Sequence, residues 1–286
     1  MATWYKFRFK PVYIIAFFLF FFEKITAQNL QPDSIALKAN LLNYFRNVEN
    51  FIESDPGYTL FGNKLDAVLE VSKEKTTYEF GVSAVQYFGR NDSLTMVPII
   101  KLRHKFNPNF TLTFGSLAIY NEVKLPAMFY ANETRYLVPA ENGLSLKYQK
   151  SNFRLYFFTV WEKFIFWGDP YREEIFGGLH VNKTFNSSNI KLEIPLIVTA
   201  YHKGGQIDNT GLPVETDYNF SAGLKVTARN ELSVSYSYNG YSNDYEQAPG
   251  YFHLAEINWQ TQQFEVSVAG LSGNNWWHPK GERIYN

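Results

Sequence analysis

The sequence contains no cysteine. Disulfide bonds therefore cannot stabilise the fold, and no thiolate can bind a metal ion or act as a nucleophile. Charge of one sign is not in excess either, because 27 Lys and Arg residues balance 27 Asp and Glu residues. This balance argues against nucleic acid as a partner, since phosphate binding normally requires a basic excess. No histidine stands in a metal-binding spacing such as HExxH, and we expect no metal and no other cofactor.

Long apolar runs are also missing, except for one at the N-terminus. Basic residues at Lys6, Arg8 and Lys10 precede the apolar stretch 12–22, and small residues follow at 25–27. This order is typical of a secretory signal peptide, and the run is short for a membrane-spanning helix. We predict a signal peptide at residues 1–27 that is cleaved on export, and a mature domain at residues 28–286.

Aromatic residues are abundant and make up 18% of the chain, although its mean hydropathy is slightly negative at −0.26. A water-soluble core does not need so many aromatic rings. An exported, cysteine-free and aromatic-rich chain indicates the outer membrane of a Gram-negative bacterium.

The mature sequence alternates between apolar and polar residues in repeated runs of about 9–14 residues, near the length of a tilted membrane-spanning strand. In "NIKLEIPLIVTAYH", Ile190, Leu192 and Ile194 share one face. Lys191 and Glu193 share the other face. We predict strands at 34–46, 58–71, 76–89, 93–106, 110–121, 143–149, 153–165, 175–185, 190–202, 216–228, 232–241, 251–260 and 264–272, of which the first is also compatible with a helix.

The connections between these strands alternate in length. Short polar turns lie at 73–76, 107–109, 150–152, 186–189, 229–231 and 260–263, and the longer links include 123–143, 166–174, 203–216 and 242–250. Short periplasmic turns and long extracellular loops are typical of outer-membrane barrels, whereas a soluble sandwich mixes loop lengths at both ends. The sequence therefore predicts an all-β fold, a transmembrane antiparallel β-barrel with about thirteen visible strands.

An odd strand number places the two ends of the chain on opposite sides of the membrane. Bacterial single-chain barrels have an even number, because both ends remain periplasmic and the sheet closes without an edge. The strand count therefore predicts a chain that is truncated at its C-terminus, with residues 273–286 in an outside loop and 14–16 strands in the intact protein.

Three stretches resemble porin-like outer-membrane β-barrel proteins of Bacteroidota. They are "DPGYTLFGNKLDAVLEV" at 55–71, "WEKFIFWGDPYREEIFGGL" at 161–179 and "AYHKGGQIDNTGLPVET" at 200–216. The resemblance extends over most of residues 34–286. It implies an outer-membrane location and a barrel fold, and it implies no substrate and no catalytic residues.

The strand faces and loops supply two sets of candidate site residues. Polar faces opposite the apolar ones predict a lumen lined by Lys64, Asp66, Lys101, Arg103, Lys147, Arg154, Lys191, Glu193, Lys225 and Glu265. The long links predict extracellular loop positions for Trp167, Asp169, Arg172, His202, Lys203, Asp208, Trp276 and Trp277. The three tryptophans suit the interfacial girdle, and a sugar-stacking surface stays open as an alternative.

Catalysis is not indicated by the residues themselves. A hydrolase in the outer membrane needs a serine or similar nucleophile beside a histidine on a neighbouring strand, and the sequence does not locate such a pair. The five histidines, His104, His180, His202, His253 and His278, suit interface or lumen positions. We expect a protein that is not an enzyme.

These observations favour a porin-like channel for the passive passage of small hydrophilic solutes. Both signs of charge line the expected lumen, so strong ion selectivity is not indicated. The alternative is a barrel whose extracellular loops bind a surface ligand or partner. The expected partners are outer-membrane lipid, the barrel-assembly machinery during biogenesis and the solutes, and the solute and the oligomeric state stay open.

Overall fold

The computed structural model describes residues 32–52, 55–90, 94–138, 140–229, 231–245, 247–282 and Tyr285. Within these residues the chain forms one sheet of thirteen antiparallel strands in sequence order. The strands are β1 (Ser34–Ile52), β2 (Asp55–Lys73), β3 (Thr76–Tyr87), β4 (Thr95–Asn107), β5 (Phe110–Leu117), β6 (Glu141–Lys150), β7 (Phe153–Lys163), β8 (Glu174–Asn186), β9 (Ile190–Lys203), β10 (Glu215–Ala228), β11 (Leu232–Asn243), β12 (Gly250–Gln260) and β13 (Glu265–Asn274). Two helices of one turn, α1 (Ile119–Glu122) and α2 (Thr134–Leu137), lie between β5 and β6.

The predicted fold class is confirmed, and most strand ends differ from the prediction by only a few residues. The first segment is a strand rather than a helix and pairs with β2 along its length. No helix in the described part of the chain is long and apolar enough to cross a bilayer. The signal peptide predicted at residues 1–27 lies outside the described residues.

The sheet is apolar on its outer face and polar on its inner face. In β10, Tyr218 and Phe220 are 45% and 43% exposed, whereas Asp217, Asn219 and Ser221 are 2%, 1% and 7% exposed. A soluble sheet buries the opposite set, because water solvates polar groups. An apolar outer face and a polar interior are typical of a barrel surrounded by lipid.

The short turns at one end of the sheet have backbone conformations that suit tight hairpins. Glu74 and Ser151 have positive φ values of 51° and 45°. Positive φ at this position matches the right-handed twist of the two flanking strands. We call this end the periplasmic end and the opposite end, with the longer links, the outer end.

The two edges of the sheet, β1 and β13, are not paired with each other among the described residues. Each neighbouring pair of strands is antiparallel, so β1 and β13 run in the same direction. The prediction that the intact protein has 14–16 strands is not tested by this arrangement and stays a prediction.

The link between β5 and β6 differs from the predicted outside loop. Residues 118–138, which we call the inner loop, fold against the inner face of the sheet. Ile119 and Val123 pack with Phe158 and Phe176, which point inward from β7 and β8. The reason is hydrophobic, because these side chains bury apolar area that an outside loop would leave in water.

Residues 275–282 and Tyr285, which we call the tail, also differ from the predicted outside position. Trp276 is 6% exposed, and its ring centroid lies 5.6 Å from Phe129 of the inner loop and 4.8 Å from Phe252 of β12. Phe252 is buried and points inward, so the tail turns back into the barrel interior. Burial of the large indole ring between two other rings favours this course.

The apolar outer face predicts how a charge is tolerated at mid-height. Leu196 lies at the middle of β9 and is 47% exposed on the outer face. Leu196→Arg is expected to lower the free energy of unfolding in phospholipid vesicles by about 2–4 kcal/mol, because hydrocarbon cannot solvate the guanidinium.

Urea unfolding followed by heat-modifiable migration on a gel measures this loss. The control is Ser235→Arg, since Ser235 is on the inner face and donates a hydrogen bond to Glu256. Equal losses in the two variants would contradict the assignment of the outer face to lipid.

Candidate functional site

The ten ionisable residues assigned to the lumen lie on the inner faces of their strands. Those near β3 and β4 are linked by ion pairs. Lys101 Nζ lies 3.2 Å from Glu79, and Arg103 lies 3.7 Å from Glu79. Arg103 also lies 3.5 Å from Glu122 of α1, so the wall and the inner loop share these charges. The ten residues are Lys64, Asp66, Lys101, Arg103, Lys147, Arg154, Lys191, Glu193, Lys225 and Glu265.

Towards the periplasmic end the inward charges lie away from the inner loop. Lys191 Nζ is 2.9 Å from Glu193, and Glu193 also accepts a hydrogen bond of 3.3 Å from Asn182. Lys225 is paired across the sheet with Glu193, and Glu265 accepts a hydrogen bond from Asn258. This half of the interior is polar and carries both signs of charge.

A cavity of about 180 Å³ lies between the inner loop and the wall formed by β2 to β6. Lys64 lines it and donates a hydrogen bond of 2.8 Å to the carbonyl oxygen of Val138. Glu141 lines it as well and accepts a hydrogen bond from the Tyr130 hydroxyl. Burial raises the pKa of the Tyr130 phenol, so this group stays a hydrogen-bond donor.

The predicted loop residues at the outer end form one charged cluster. Arg172 lies 3.5 Å from Asp208 and 3.4 Å from Glu215, and it donates a hydrogen bond of 2.7 Å to the Lys203 carbonyl oxygen. Lys203 Nζ lies 3.2 Å from Glu215. A backbone hydrogen bond from Thr210 is the main cause that lowers the pKa of Asp208. The cluster joins the 166–174 and 203–216 links.

The remaining predicted loop residues separate into exposed and buried positions. Trp167 is 78% exposed, and Asp169 accepts a hydrogen bond of 2.8 Å from the Phe166 amide. Trp277 is 41% exposed, whereas Trp276 is buried inside the barrel. Of the three tryptophans, Trp167 is therefore the most open to a ligand from the outside.

Four of the five histidines lie on the sheet, and His278 lies in the tail. His180 and His278 are buried inside, where their rings contact the Val123 carbonyl oxygen at 3.0 Å and the Thr199 hydroxyl at 3.1 Å. The other three, His104, His202 and His253, lie on the outer face of their strands.

Each of the outward histidines has a hydroxyl group within hydrogen-bond distance of Nδ1. His104 contacts Thr76 at 2.8 Å near the periplasmic end. His202 contacts Thr216 at 3.0 Å at the outer end, but Thr216 is only 7% exposed. His253 contacts the Tyr236 hydroxyl at 2.7 Å, also near the outer end.

His253 has a second hydroxyl group on the neighbouring strand. Ser272 of β13 lies directly opposite His253 in the strand register and is exposed. Directly opposite residues share one face, with Cβ atoms about 5 Å apart. Because the Tyr236 hydroxyl forms a hydrogen bond with Nδ1 of His253, Nε2 is the ring nitrogen that is left for another group. The Tyr238 and Tyr251 rings surround the imidazole, at 5.2 and 5.7 Å between centroids.

The sequence pattern alone missed this pair because it depends on strand register. The predicted hairpin placed its turn at 260–263, whereas the structure pairs Gln260 with Glu265 around a turn at 261–264. A turn displaced by one residue shifts the strand partners by two, so the predicted turn pairs His253 with Gly270, whereas the structure pairs it with Ser272. The sequence signal was present, as a histidine and a serine at similar distances from one turn.

A sequence model of the lipid A 3′-O-deacylase-type family matches residues 27–286. The expectation that the chain is not an enzyme is wrong, because the matched family is named for a deacylase. No curated protein sequence matches this chain significantly.

Several solved structures share the fold at low sequence identity. OprD of Pseudomonas aeruginosa aligns with a TM-score of 0.53 and 11% identity over 85% of this chain and 76% of OprD. OccK8 (OprE) of the same organism aligns with a TM-score of 0.51 and 11% identity, over 85% of this chain and 84% of OccK8. OccAB4 of Acinetobacter baumannii aligns with a TM-score of 0.51 and 10% identity, over 88% of this chain and 86% of OccAB4. These similarities show a porin-like outer-membrane barrel fold, and membership of a Bacteroidota group stays a prediction.

The buried histidine of the tail predicts a pH dependence. Burial, together with the positive charge of the nearby Lys280, lowers the pKa of His278 to about 3. A released tail regains the ordinary pKa of about 6.5 and takes up a proton below that value. Docking of the tail is therefore expected to weaken as pH falls from about 6.5 towards 3, by up to about tenfold per pH unit.

The measurement is the reactivity of one introduced cysteine in a Met128→Cys variant, normalised at each pH to the unfolded chain, because Met128 is 4% exposed in the inner loop. His278→Asn removes the titrating group and should give a flat profile over the same range. The same slope in both proteins would assign the effect to carboxylates and contradict this role of His278.

Proposed function

Because this chain belongs to the lipid A 3′-O-deacylase-type family, we propose that it hydrolyses an acyl ester of a lipid A-type glycolipid in the outer leaflet of the outer membrane. The observation that carries this proposal is the outward His253 with Ser272 directly opposite on β13. A serine hydroxyl and a histidine on neighbouring strands are the nucleophile and base that ester hydrolysis requires.

The position of the pair suits a membrane lipid. His253 is the fourth residue of β12 counted from the outer end, about 10 Å along the strand. Tyr238 and Tyr251 lie beside it, and tyrosines are enriched where acyl chains meet headgroups. The ester bonds of a glycolipid lie at the same depth, between the sugar and the hydrocarbon.

The interior is less suited to this substrate. The inner loop and the tail fill much of the lumen, where Phe129, Tyr130 and Trp276 are almost completely buried. A lipid that diffuses in the outer leaflet reaches the outer wall of the barrel without entering the lumen. The outer face is therefore the better location for the reaction.

In the proposed reaction, Ser272 Oγ attacks the ester carbonyl carbon and its proton passes to His253 Nε2. The glycolipid hydroxyl leaves with that proton, and an acyl group remains on Ser272. Water then attacks the acyl-enzyme with His253 as the base, which releases the fatty acid and restores the serine. Tyr236 holds Nδ1 and keeps the ring in position, as the third group of a catalytic triad does.

We expect His253→Asn and Ser272→Ala to lower deacylation by about 1,000-fold or more, because base and nucleophile act as one unit. Tyr236→Phe should lower the deacylation rate by about tenfold, since this change removes only the hydrogen bond that positions the His253 ring. The measurement is fatty acid release from lipid A in mixed micelles, followed by mass spectrometry.

Two histidine variants act as matched controls. His104→Asn alters an outward histidine and hydroxyl pair at the periplasmic end and should keep full activity. His202→Asn alters the competing pair at the outer end and should also keep activity. Activity that survives in His253→Asn and disappears in His202→Asn would place the base between β9 and β10 instead.

A second candidate function is the passage of small hydrophilic solutes through the lumen. The observation that favours it is the polar periplasmic half of the interior, where Lys191, Glu193 and Lys225 face the lumen. Charges in this position need water or one another. Both signs are present, so passage is expected to show weak charge selectivity.

Replacement of Lys191 by Glu reverses one lumen charge and is expected to shift the reversal potential in planar bilayers towards cation selectivity. Lys183→Glu is the control, because Lys183 lies on the outer face of β8 beside the exposed Phe185 ring and should leave the reversal potential unchanged. An absence of ion conductance in planar bilayers, both for the wild type and for a variant with a released inner loop, would contradict solute passage.

A further inference from the structure

The inner loop is held to the wall of the barrel by polar contacts on several sides. Tyr58 of β2 donates a hydrogen bond to Glu133, and Tyr156 of β7 donates one of 2.5 Å to Glu122. On β8, His180 contacts the Val123 carbonyl oxygen. The loop therefore spans the lumen and does not lie along one strand.

The tail makes a second set of contacts with the wall. Asn219 of β10 donates a hydrogen bond of 2.6 Å to the Trp277 carbonyl oxygen. The Thr199 hydroxyl of β9 contacts the His278 ring. Lys280 donates a hydrogen bond of 2.8 Å to Glu162 of β7. The tail leaves β13 and crosses the interior.

The inner loop and the tail are also joined to each other. The Ala131 amide donates to the Lys280 carbonyl oxygen at 2.7 Å, and the Glu282 amide donates to the Ala127 carbonyl oxygen at 2.8 Å. The Asn132 amide donates to the Glu282 carboxylate at 3.0 Å. These contacts make the two segments one body, which we call the plug.

Arg46 of β1 contacts both parts of the plug. It donates a hydrogen bond of 3.0 Å to Tyr136 and lies 3.8 Å from Glu133, both in the inner loop. It also lies 3.5 Å from Glu282 of the tail. Its side chain is 27% exposed, and those of Glu133 and Glu282 are 24% and 16% exposed, so water screens these pairs only in part.

We propose that Arg46 is a latch that keeps the plug in the lumen. One guanidinium neutralises two carboxylates that belong to different segments of the chain. Without it the two carboxylates repel each other and the hydrogen bond from Arg46 to the Tyr136 hydroxyl is lost, while the rest of the sheet keeps its strand pairing. Release of the plug joins the polar periplasmic half of the interior to the outside.

The consequence for solute passage rests on the channel function proposed above, whereas docking of the plug does not. The two parts therefore need separate measurements. The cysteine introduced by Met128→Cys reports docking, because the natural chain has no cysteine and Met128 is 4% exposed. Conductance in planar bilayers reports passage.

In this background, Arg46→Gln is expected to increase the rate of labelling by a water-soluble maleimide about tenfold or more. Arg46→Lys keeps the charge and should restore part of the protection. The matched control is Lys38→Gln, which removes an ion pair of β1 with Glu70 that does not involve the plug. Heat-modifiable migration on a gel verifies that each barrel is folded.

Protection of the introduced cysteine that is unchanged in Arg46→Gln, or equally lost in Lys38→Gln, would overturn the latch. Faster labelling together with larger conductance supports both the latch and the channel. Faster labelling without any conductance supports the latch and contradicts the channel function.

Discussion

The structure depends on one constraint, which is that backbone amides and carbonyls in hydrocarbon need hydrogen-bond partners within the protein. A continuous antiparallel sheet satisfies the amides of every inner strand through its two neighbours. Side chains then alternate between lipid and interior along each strand, as in β10, where Phe220 is exposed and Asn219 is buried. The abundance of apolar and aromatic residues follows from this alternation, because one face of each strand meets lipid.

Polar and charged side chains on the inner faces need hydrogen-bond and ion-pair partners within the barrel. Charges such as Arg103 and Arg46 are not paired by their own strands alone, and the inner loop supplies Glu122 and Glu133 to them. The same loop brings apolar residues, which form a small core with Phe158 and Phe176. The outer half of the interior is therefore packed like a soluble protein, whereas the periplasmic half stays polar.

The outer wall and the interior provide two separate chemical environments. His278 is buried and its pKa is low, so it stays neutral and serves packing. His253 faces the membrane with a serine and a tyrosine beside it. A lipid substrate and a water-soluble solute thus meet different surfaces of the same sheet, and the two proposed functions do not compete for residues.

The sequence by itself determined the class of fold, the number of visible strands and the face of residues such as Lys191 and Leu196, because alternation is a local property of a strand. It did not determine the course of the inner loop or the burial of Trp276, because those depend on apolar partners far away in the chain. It also did not bring His253 and Ser272 together. That pairing depends on the register of one hairpin, and a register is decided by a turn and by packing across the whole sheet.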